Sequence, residues 1–127
     1  MPAKFITTKK TVPSGSEMKE LYCATLVKNR EVNLHEIAEA LSENSTLNPV
    51  DCYGVMVGMA AQIAKHLQEG NVVNIEFLGT FRIWAKSTAV ESPELVSEKT
   101  IGKPSVNFRP SVLMKQRISK TQFVPKK

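Results

Sequence analysis

Residue types that usually mark catalytic or metal-binding proteins are scarce in this sequence of 127 residues, which has two cysteines and two histidines. Cys23 and Cys52 stand in no Cys-x-x-Cys or Cys/His ligand spacing, so no metal site is expected. Both lie among apolar neighbours, which favours small buried side chains over a disulfide or a reactive thiol.

The two histidines also lack catalytic company. His35 and His66 have no cysteine, serine or second histidine at a recognised catalytic spacing, and no glycine-rich phosphate loop is present. Both are expected at the surface. The sequence therefore predicts no enzyme, no cofactor and no small-molecule substrate.

Long apolar runs and aromatic side chains are missing as well. No stretch approaches the roughly 20 apolar residues of a membrane span. The first four residues, Met-Pro-Ala-Lys, are not followed by the apolar segment of a signal peptide. These observations predict a cytoplasmic protein without a membrane partner. Aromatic residues make up 6% of the chain, too few for an extended base-stacking sheet.

Positive charge is what the sequence does have, and it is concentrated near the C-terminal end. Residues 1–80 contain seven Lys/Arg and nine Asp/Glu, whereas residues 81–127 contain ten Lys/Arg and three Asp/Glu. The balances of −2 and +7 give the net charge of +5. A polyanion is the natural partner of such a field, and a solubilising surface is the alternative.

The first 70 residues predict a hairpin and two helices. Residues 4–11 and 21–27 favour strands that pair through a long loop at 13–16. Asn33 followed by Glu36 predicts a capped helix with an apolar face, ending near 44–46. Asn48-Pro49 begins a second helix that runs to about Gln68, with Gly70 as its left-handed terminator.

The second helix is apolar almost all round, with small residues that permit close helix contact. Such a helix must be buried on more than one side, which indicates a partner subunit or, alternatively, a central helix within the monomer. The candidate dimer-interface residues are Val57, Ala61, Ala64 and Phe81.

The last third predicts a second sheet and a short basic helix. Residues 72–75, 80–85 and 105–108 favour strands, and Pro110-Ser111 begins the helix. Residues 86–104 are poor in apolar side chains and indicate an extended, weakly packed arm.

From Leu34 onward the chain resembles the HU/IHF family of bacterial histone-like proteins. The resemblance rests on Leu78-Gly79-Thr80-Phe81 after the strand 72–75, and on the stretch 106–115 that leads into the last helix. The whole chain is closer to a divergent HU-like subgroup of Bacteroidetes. That subgroup has an extra N-terminal hairpin, an arm like Glu91-Ser92-Pro93-Glu94, and a Phe108-Arg109-Pro110-Ser111 signature.

The resemblance implies an α+β, IHF-like fold with two N-terminal helices, an antiparallel sheet with an extended β-arm and a short C-terminal helix. It implies a hairpin extension over 1–32, an HU/IHF-like domain over 33–120 with an arm at about 86–104, and a disordered tail over 121–127. Family members are dimers whose arms embrace DNA in the nucleoid. The residues expected to contact DNA are Arg82, Lys86, Lys99, Lys103, Arg109, Lys115, Arg117 and Lys120.

The arm departs from the family pattern. Pro93 falls near the position of the family's intercalating proline, but Glu91 and Glu94 flank it and would repel phosphate. It is either a weakened wedge or a turn proline. Trp84 shares a strand face with Arg82, where it could stack or pack. We therefore expect sequence-tolerant binding of double-stranded DNA by the dimer body, with weak or absent bending. The alternative is an HU-like dimeric structural or interaction module with weak or lost DNA binding.

Overall fold

Two groups of elements make up the computed structural model, which describes residues 2–127. One compact unit comprises the residues up to Val32 together with Arg117–Lys127, and the other comprises Asn33–Gln116. Six strands and three α-helices are formed within the described residues, so the fold is α+β. In chain order they are β1 Ala3–Ser14, β2 Glu17–Val27, α1 Leu34–Glu43, α2 Pro49–Gln68, β3 Val73–Ile75, β4 Gly79–Ser87, β5 Ile101–Pro110, α3 Val112–Ile118 and β6 Phe123–Pro125.

The N-terminal hairpin is longer and tighter than the sequence predicts. β1 and β2 pair antiparallel from Lys4 opposite Val27 to Ser14 opposite Glu17. This pairing leaves a loop of only two residues, Gly15 and Ser16. Gly15 adopts a φ of 66°, and Ser16 keeps a negative φ. This is the pattern of a type II′ turn, whose twist matches that of the paired strands.

The predicted disordered tail is wrong, because part of it forms strand β6. β6 pairs parallel to β1, with Phe123 opposite Ala3 and Pro125 opposite Phe5. The N–H of Ala3 donates to the carbonyl of Gln122 at 2.9 Å, and the N–H of Lys126 donates to the carbonyl of Phe5 at 2.9 Å. Two consecutive apolar residues, Phe123 and Val124, are too short a pattern to predict a strand from the sequence, and the strand forms where they meet the open edge of β1.

One of the two cysteines also differs from expectation. Both are free thiols, and Cys52 is buried as predicted, but Cys23 is exposed. Its Sγ lies 3.2 Å from Oγ1 of Thr8, the residue opposite it on β1. Apolar neighbours along a strand do not bury a side chain, because alternate residues point to opposite faces.

Both long helices begin at the predicted caps. Oδ1 of Asn33 accepts from the N–H of Glu36 at 3.0 Å, and Oδ1 of Asn48 accepts from the N–H of Asp51 at 2.8 Å. α2 ends at Gln68, and Gly70 follows with a φ of 83°. α1 packs against α2. Among the described residues the buried apolar side chains are Ala38 of α1 and Cys52 and Leu67 of α2.

The second sheet has the order β3-β4-β5 and is antiparallel throughout. α2 contacts both β3 and β4, so the helical layer lies on one side of this sheet. β4 and β5 pair from Gly79 opposite Pro110 to Ser87 opposite Ile101, with a register shift between Ala85 and Ser87.

The segment predicted as an extended arm is only partly extended. Its ends belong to β4 and β5, where the N–H of Thr88 donates to the carbonyl of Thr100 at 2.8 Å. Between them the chain forms two 3₁₀ turns, Pro93–Leu95 and Glu98–Thr100. Pro93 begins the first turn, which is the position expected if it is a turn proline.

Position 79 of this sheet accommodates glycine but no residue with a side chain. Its φ is 156°, and a Cβ there would lie 2.7 Å from Cε1 of Phe108 and would overlap the carbonyl oxygen of Arg109. We expect Gly79→Ala to lower the free energy of unfolding by about 3 kcal/mol. Thermal denaturation measures this loss, with Ser87→Ala on the same strand as control. Equal stability of the two variants would contradict the close approach at Gly79.

Candidate functional site

The pairing of β4 with β5 determines which side chains share a face. Residues directly opposite each other in an antiparallel pair project to the same side. Arg82 lies opposite Asn107, and Arg109 lies opposite Thr80. Because alternate residues of a strand share a face, both arginines project from the same side of the sheet.

Two lysines extend this side toward the far end of the strands. Lys86 follows Arg82 by four residues along β4, and Lys103 precedes Arg109 by six residues along β5. Even spacing keeps each lysine on the side of its arginine. The bulge lies next to them, since Gly102 and Lys103 together stand opposite Lys86.

We call this side the basic face. Along β4 it runs from Thr80 to Lys86, a distance of six residue steps or about 20 Å at 3.4 Å per step. All four of its cationic side chains are exposed, and neither β4 nor β5 contains an Asp or Glu. The face comprises Thr80, Arg82, Trp84, Lys86, Lys103, Ser105, Asn107 and Arg109.

The opposite side of the sheet is apolar and serves packing. Phe81 and Phe108 are paired there, with ring centroids 4.8 Å apart. Ile83 and Val106 border a hollow that Leu67 of α2 also lines. The basic face is therefore the side of the sheet that points away from α2.

The carboxylates of the last third lie outside the strands. Glu91 lies before the first 3₁₀ turn, Glu94 lies within it, and Glu98 begins the second. This connection between β4 and β5 is acidic, whereas the strands carry only positive charge. The negative and positive charges are thus separated along the hairpin rather than mixed.

Four of the eight predicted DNA-contact residues belong to the basic face, and four do not. Lys99 lies in the second 3₁₀ turn beside Glu98, and its N–H donates to Oγ of Ser97 at 3.2 Å. Lys115 is exposed on α3. Arg117 and Lys120 belong to the unit that contains the N-terminal hairpin.

Sequence reasoning missed the polar residues that accompany the arginines. Asn107 stands opposite Arg82, and Asn74 of β3 stands opposite Thr80, whose hydroxyl donates to Oδ1 of Asn74 at 3.5 Å. Asparagine and threonine can hydrogen-bond phosphates or base edges. Only the strand register reveals them, because neither residue belongs to a charge cluster. Trp84 is 49% exposed on the basic face, so it is not a core residue of the chain.

The four predicted dimer-interface residues have different surroundings. Val57 is 45% exposed, and Ala61 is also exposed. Ala64 borders the hollow beside Ile83 of the same chain. Phe81 packs on Phe108 of the same chain. Val57, Ala61 and Ala64 are exposed in the chain, whereas Phe81 is half-buried.

Comparison with known protein families decides the classification. The family model HU-HIG, described as an HU domain fused to wHTH, Ig, or glycine-rich motif, matches residues 1–125. The chain belongs to this family. Its HU-HIG membership covers both compact units and includes the N-terminal hairpin.

A solved structure has the same fold as this HU-HIG chain. It is a candidate bacterial DNA-binding protein from Bacteroides vulgatus ATCC 8482, with a TM-score of 0.65 and 15% sequence identity. The match covers 97% of this chain and 49% of that one, so the chain spans about half the length of its structural neighbour. The comparison with curated proteins gave no match.

Membrane-spanning helices and metal-binding clusters are absent from the part of the HU-HIG chain that the structure describes. None of the helices formed by residues 2–127 is both long and apolar enough to cross a membrane. In the same part of the chain, His, Cys, Asp and Glu side chains do not gather in a group of three that could hold a metal ion.

Proposed function

We propose that this HU-HIG chain binds double-stranded DNA without sequence preference, as an architectural protein of the nucleoid. The basic face carries the proposal. It presents Arg82, Lys86, Lys103 and Arg109 on one exposed surface without a carboxylate. Lysine and arginine contacts to phosphates supply affinity that is independent of base sequence.

The dimensions of the basic face suit a duplex. B-DNA carries one phosphate charge per about 1.7 Å of its axis, so a 20 Å face spans roughly a dozen phosphates on the two strands. Arg82 and Arg109 can engage phosphate oxygens with two N–H donors each, and the two lysines act as point charges. Trp84 and Asn107 supply an apolar and a hydrogen-bonding contact between them.

The comparisons support the proposal from two directions. The family is defined by an HU domain, and the structural neighbour is described as a candidate DNA-binding protein. With these we propose the IHF-like arrangement of helices, sheet and arm, and membership of the Bacteroidetes subgroup with an N-terminal hairpin. Lys99, Lys115, Arg117 and Lys120 are proposed as secondary phosphate contacts outside the basic face.

We further propose that the functional form is a homodimer formed through α2. Two separately compact bodies of these sizes would expose about 8,000 Å² together, whereas the chain exposes 11110 Å². Much of α2 contributes to this excess, with Val55 65% and Val57 45% exposed. An apolar helix with this much exposed surface is stabilised when a partner subunit covers it. Obligate dimers bury 2,000 Å² or more.

The arm tip does not fit the family's way of bending DNA. Glu91 and Glu94 flank Pro93, and all three are exposed. Carboxylates inserted beside the phosphates of a minor groove are repelled, so we propose that the dimer grips the backbone with its body and bends DNA weakly or not at all.

Fluorescence anisotropy with labelled duplexes tests the function. The native protein is expected to bind two duplexes of unrelated sequence with affinities within a few-fold of each other. Lys86→Glu with Lys103→Glu is expected to abolish binding at about 0.15 M salt, because four charges per dimer are reversed. Circular dichroism checks that the variant is folded. Failure of the native protein to bind either duplex at low salt would reject the proposal.

A second candidate function is favoured by the acidic connection between the strands. Residues 88–100 contain Glu91, Glu94 and Glu98 against the single cation Lys99. On this view the fold is kept and the tip contacts a basic protein rather than DNA. Tight binding of the native protein to both duplexes, undiminished by removing these carboxylates, would reject this candidate.

A further inference from the structure

The outer edge of β2 is open and unprotected. Among residues 2–127, β2 pairs with β1 alone, and the sheet order β2-β1-β6 places it at the edge. Its last seven residues, Leu21–Val27, contain no charge, no proline and no glycine. Exposed edges normally carry lysine, proline or a bulge to prevent pairing with another strand.

The turn geometry shows which backbone groups face outward. Ser14 and Glu17 flank the two-residue turn, so they form a hydrogen-bonded pair. Hydrogen-bonded pairs then recur at every second residue along the ladder. In β2 the odd-numbered residues bond to β1, and the even-numbered ones, including Tyr22, Ala24 and Leu26, point N–H and C=O at the open edge.

The side chains of this segment are apolar and exposed as well. Tyr22 is 66% exposed, Leu26 60% and Leu21 49%. An uncharged segment of this length with strong β-propensity is the kind that pairs with another strand when nothing covers it. Its occupant must supply an uncharged strand of similar length and a charge pattern that fits the ends.

We propose that a second copy of this chain occupies the edge, with β2 pairing antiparallel to β2 of the partner about a two-fold axis at Ala24. In this register Tyr22 faces the partner's Leu26, and Ala24 faces the partner's Ala24. All outward backbone groups from residue 20 to residue 28 then find partners. The uncharged segments overlap completely.

Charge complementarity at the two ends selects this register. Glu20 faces the partner's Lys28, and the symmetry produces the same pair a second time. A register centred on Tyr22 or Cys23 would place Glu20 opposite Ala24 or Leu26 of the partner subunit. Glu20 already pairs with Lys9 at 2.8 Å on the same side of its own hairpin. The carboxylate would therefore lie between two ammonium groups.

This contact is separate from the proposed α2 dimer and does not depend on DNA binding. The edge belongs to the unit that contains the hairpin, and α2 belongs to the other unit. A chain that uses both surfaces joins dimers into a tetramer or into a longer row. Such an assembly would place successive DNA-binding bodies next to one another.

Disulfide trapping tests the register. In a hydrogen-bonded antiparallel pair, opposite Cα atoms are about 5.5 Å apart, within the range that a disulfide spans. In a Cys23→Ser background, Ala24→Cys is expected to give a covalent dimer with diamide on a non-reducing gel. Tyr22→Cys in the same background is the control, because its symmetry mates would be roughly 14 Å apart. Equal cross-linking of the two variants, or none with Ala24→Cys, would overturn the register.

Mass measurement by light scattering tests the contact itself. The N–H of Ala24 points outward, so Ala24→Pro removes an edge donor without removing a bond to β1. We expect this variant to have at most half the mass of the native protein, and Ala24→Thr to keep the native mass. Lys28→Glu should also lower the mass to at most half, and adding Glu20→Lys should restore it. Native mass in both Ala24→Pro and Lys28→Glu would refute the proposal, whatever the result of the DNA-binding measurements.

Discussion

Replacing Arg82 and Arg109 with alanine is expected to weaken duplex binding by roughly several thousand-fold at 0.1 M salt. Both arginines lie on the basic face, because Arg109 is opposite Thr80, two residues from Arg82 along β4. Each arginine would neutralise a phosphate. In a dimer the double variant removes four such contacts, and each contributes nearly one decade of affinity at this salt concentration. Anisotropy titration of one labelled duplex measures the change.

The matched control removes charge from the connection rather than from the strands. Glu91→Gln with Glu94→Gln also changes two charges per chain, in the segment that joins β4 to β5. We expect this variant to bind DNA at least as tightly as the native protein, because it only relieves repulsion. If the arginine variant loses less than ten-fold, the basic face is not the binding surface.

The second large effect is expected at α2. Val57→Glu should separate the two chains that α2 holds together and so lower the mass of the assembly, because the carboxylate would be buried without a partner in the interface. At ~3 kcal/mol for each buried unpaired charge, two copies weaken the dimer by about 6 kcal/mol, or more than ten-thousand-fold. In a lone chain the same change would be nearly neutral, since Val57 is 45% exposed.

Sedimentation velocity at micromolar concentration measures this dissociation. Val50→Glu is the control, because Val50 is 78% exposed and lies in the first turn of α2, where a carboxylate is favoured. This control should sediment as the native protein does. A Val57→Glu variant that sediments like the native protein would exclude α2 as the interface.

The helices were predictable from the sequence because their signals are local. Asn33 and Asn48 each lie within three residues of the N–H that they cap, and Gly70 lies two residues beyond the end of α2. Start, length and end are thus all encoded within a few positions. The family resemblance, resting on Leu78–Phe81 and residues 106–115, led to the same class of domain as the family model.

The sheets were less predictable because their pairing is not local. β6 joins β1 across more than a hundred residues, and the short segment Phe123–Pro125 contains no pattern that indicates this partner. The hairpin turn was misjudged because Pro13 and Ser14 resemble loop residues, although the left-handed Gly15 lets both strands continue to the turn. Exposure of Cys23 follows from its position on a strand face rather than from its neighbours in sequence.

The candidate site was likewise predictable where its signals are local and unpredictable where it depends on strand pairing. The excess of positive charge after residue 80 was visible in the sequence, and so was the shared face of Arg82 and Trp84. That Asn107 and Arg109 join this face depends on the register between β4 and β5, which the intervening connection conceals. The sequence grouped Lys99 with Lys86 and Lys103, whereas the structure places it in a turn beside Glu98.

The salt dependence of duplex binding tests the central claim most directly. For B-DNA the slope of log K against log salt concentration is about −0.9 for each phosphate neutralised. With four basic-face cations per chain, the native dimer is expected to have a slope of roughly −7, and Arg82→Ala alone should reduce its magnitude by about 1.8, two contacts per dimer. A native slope near zero, or an identical slope for Arg82→Ala, would contradict binding of DNA by the basic face.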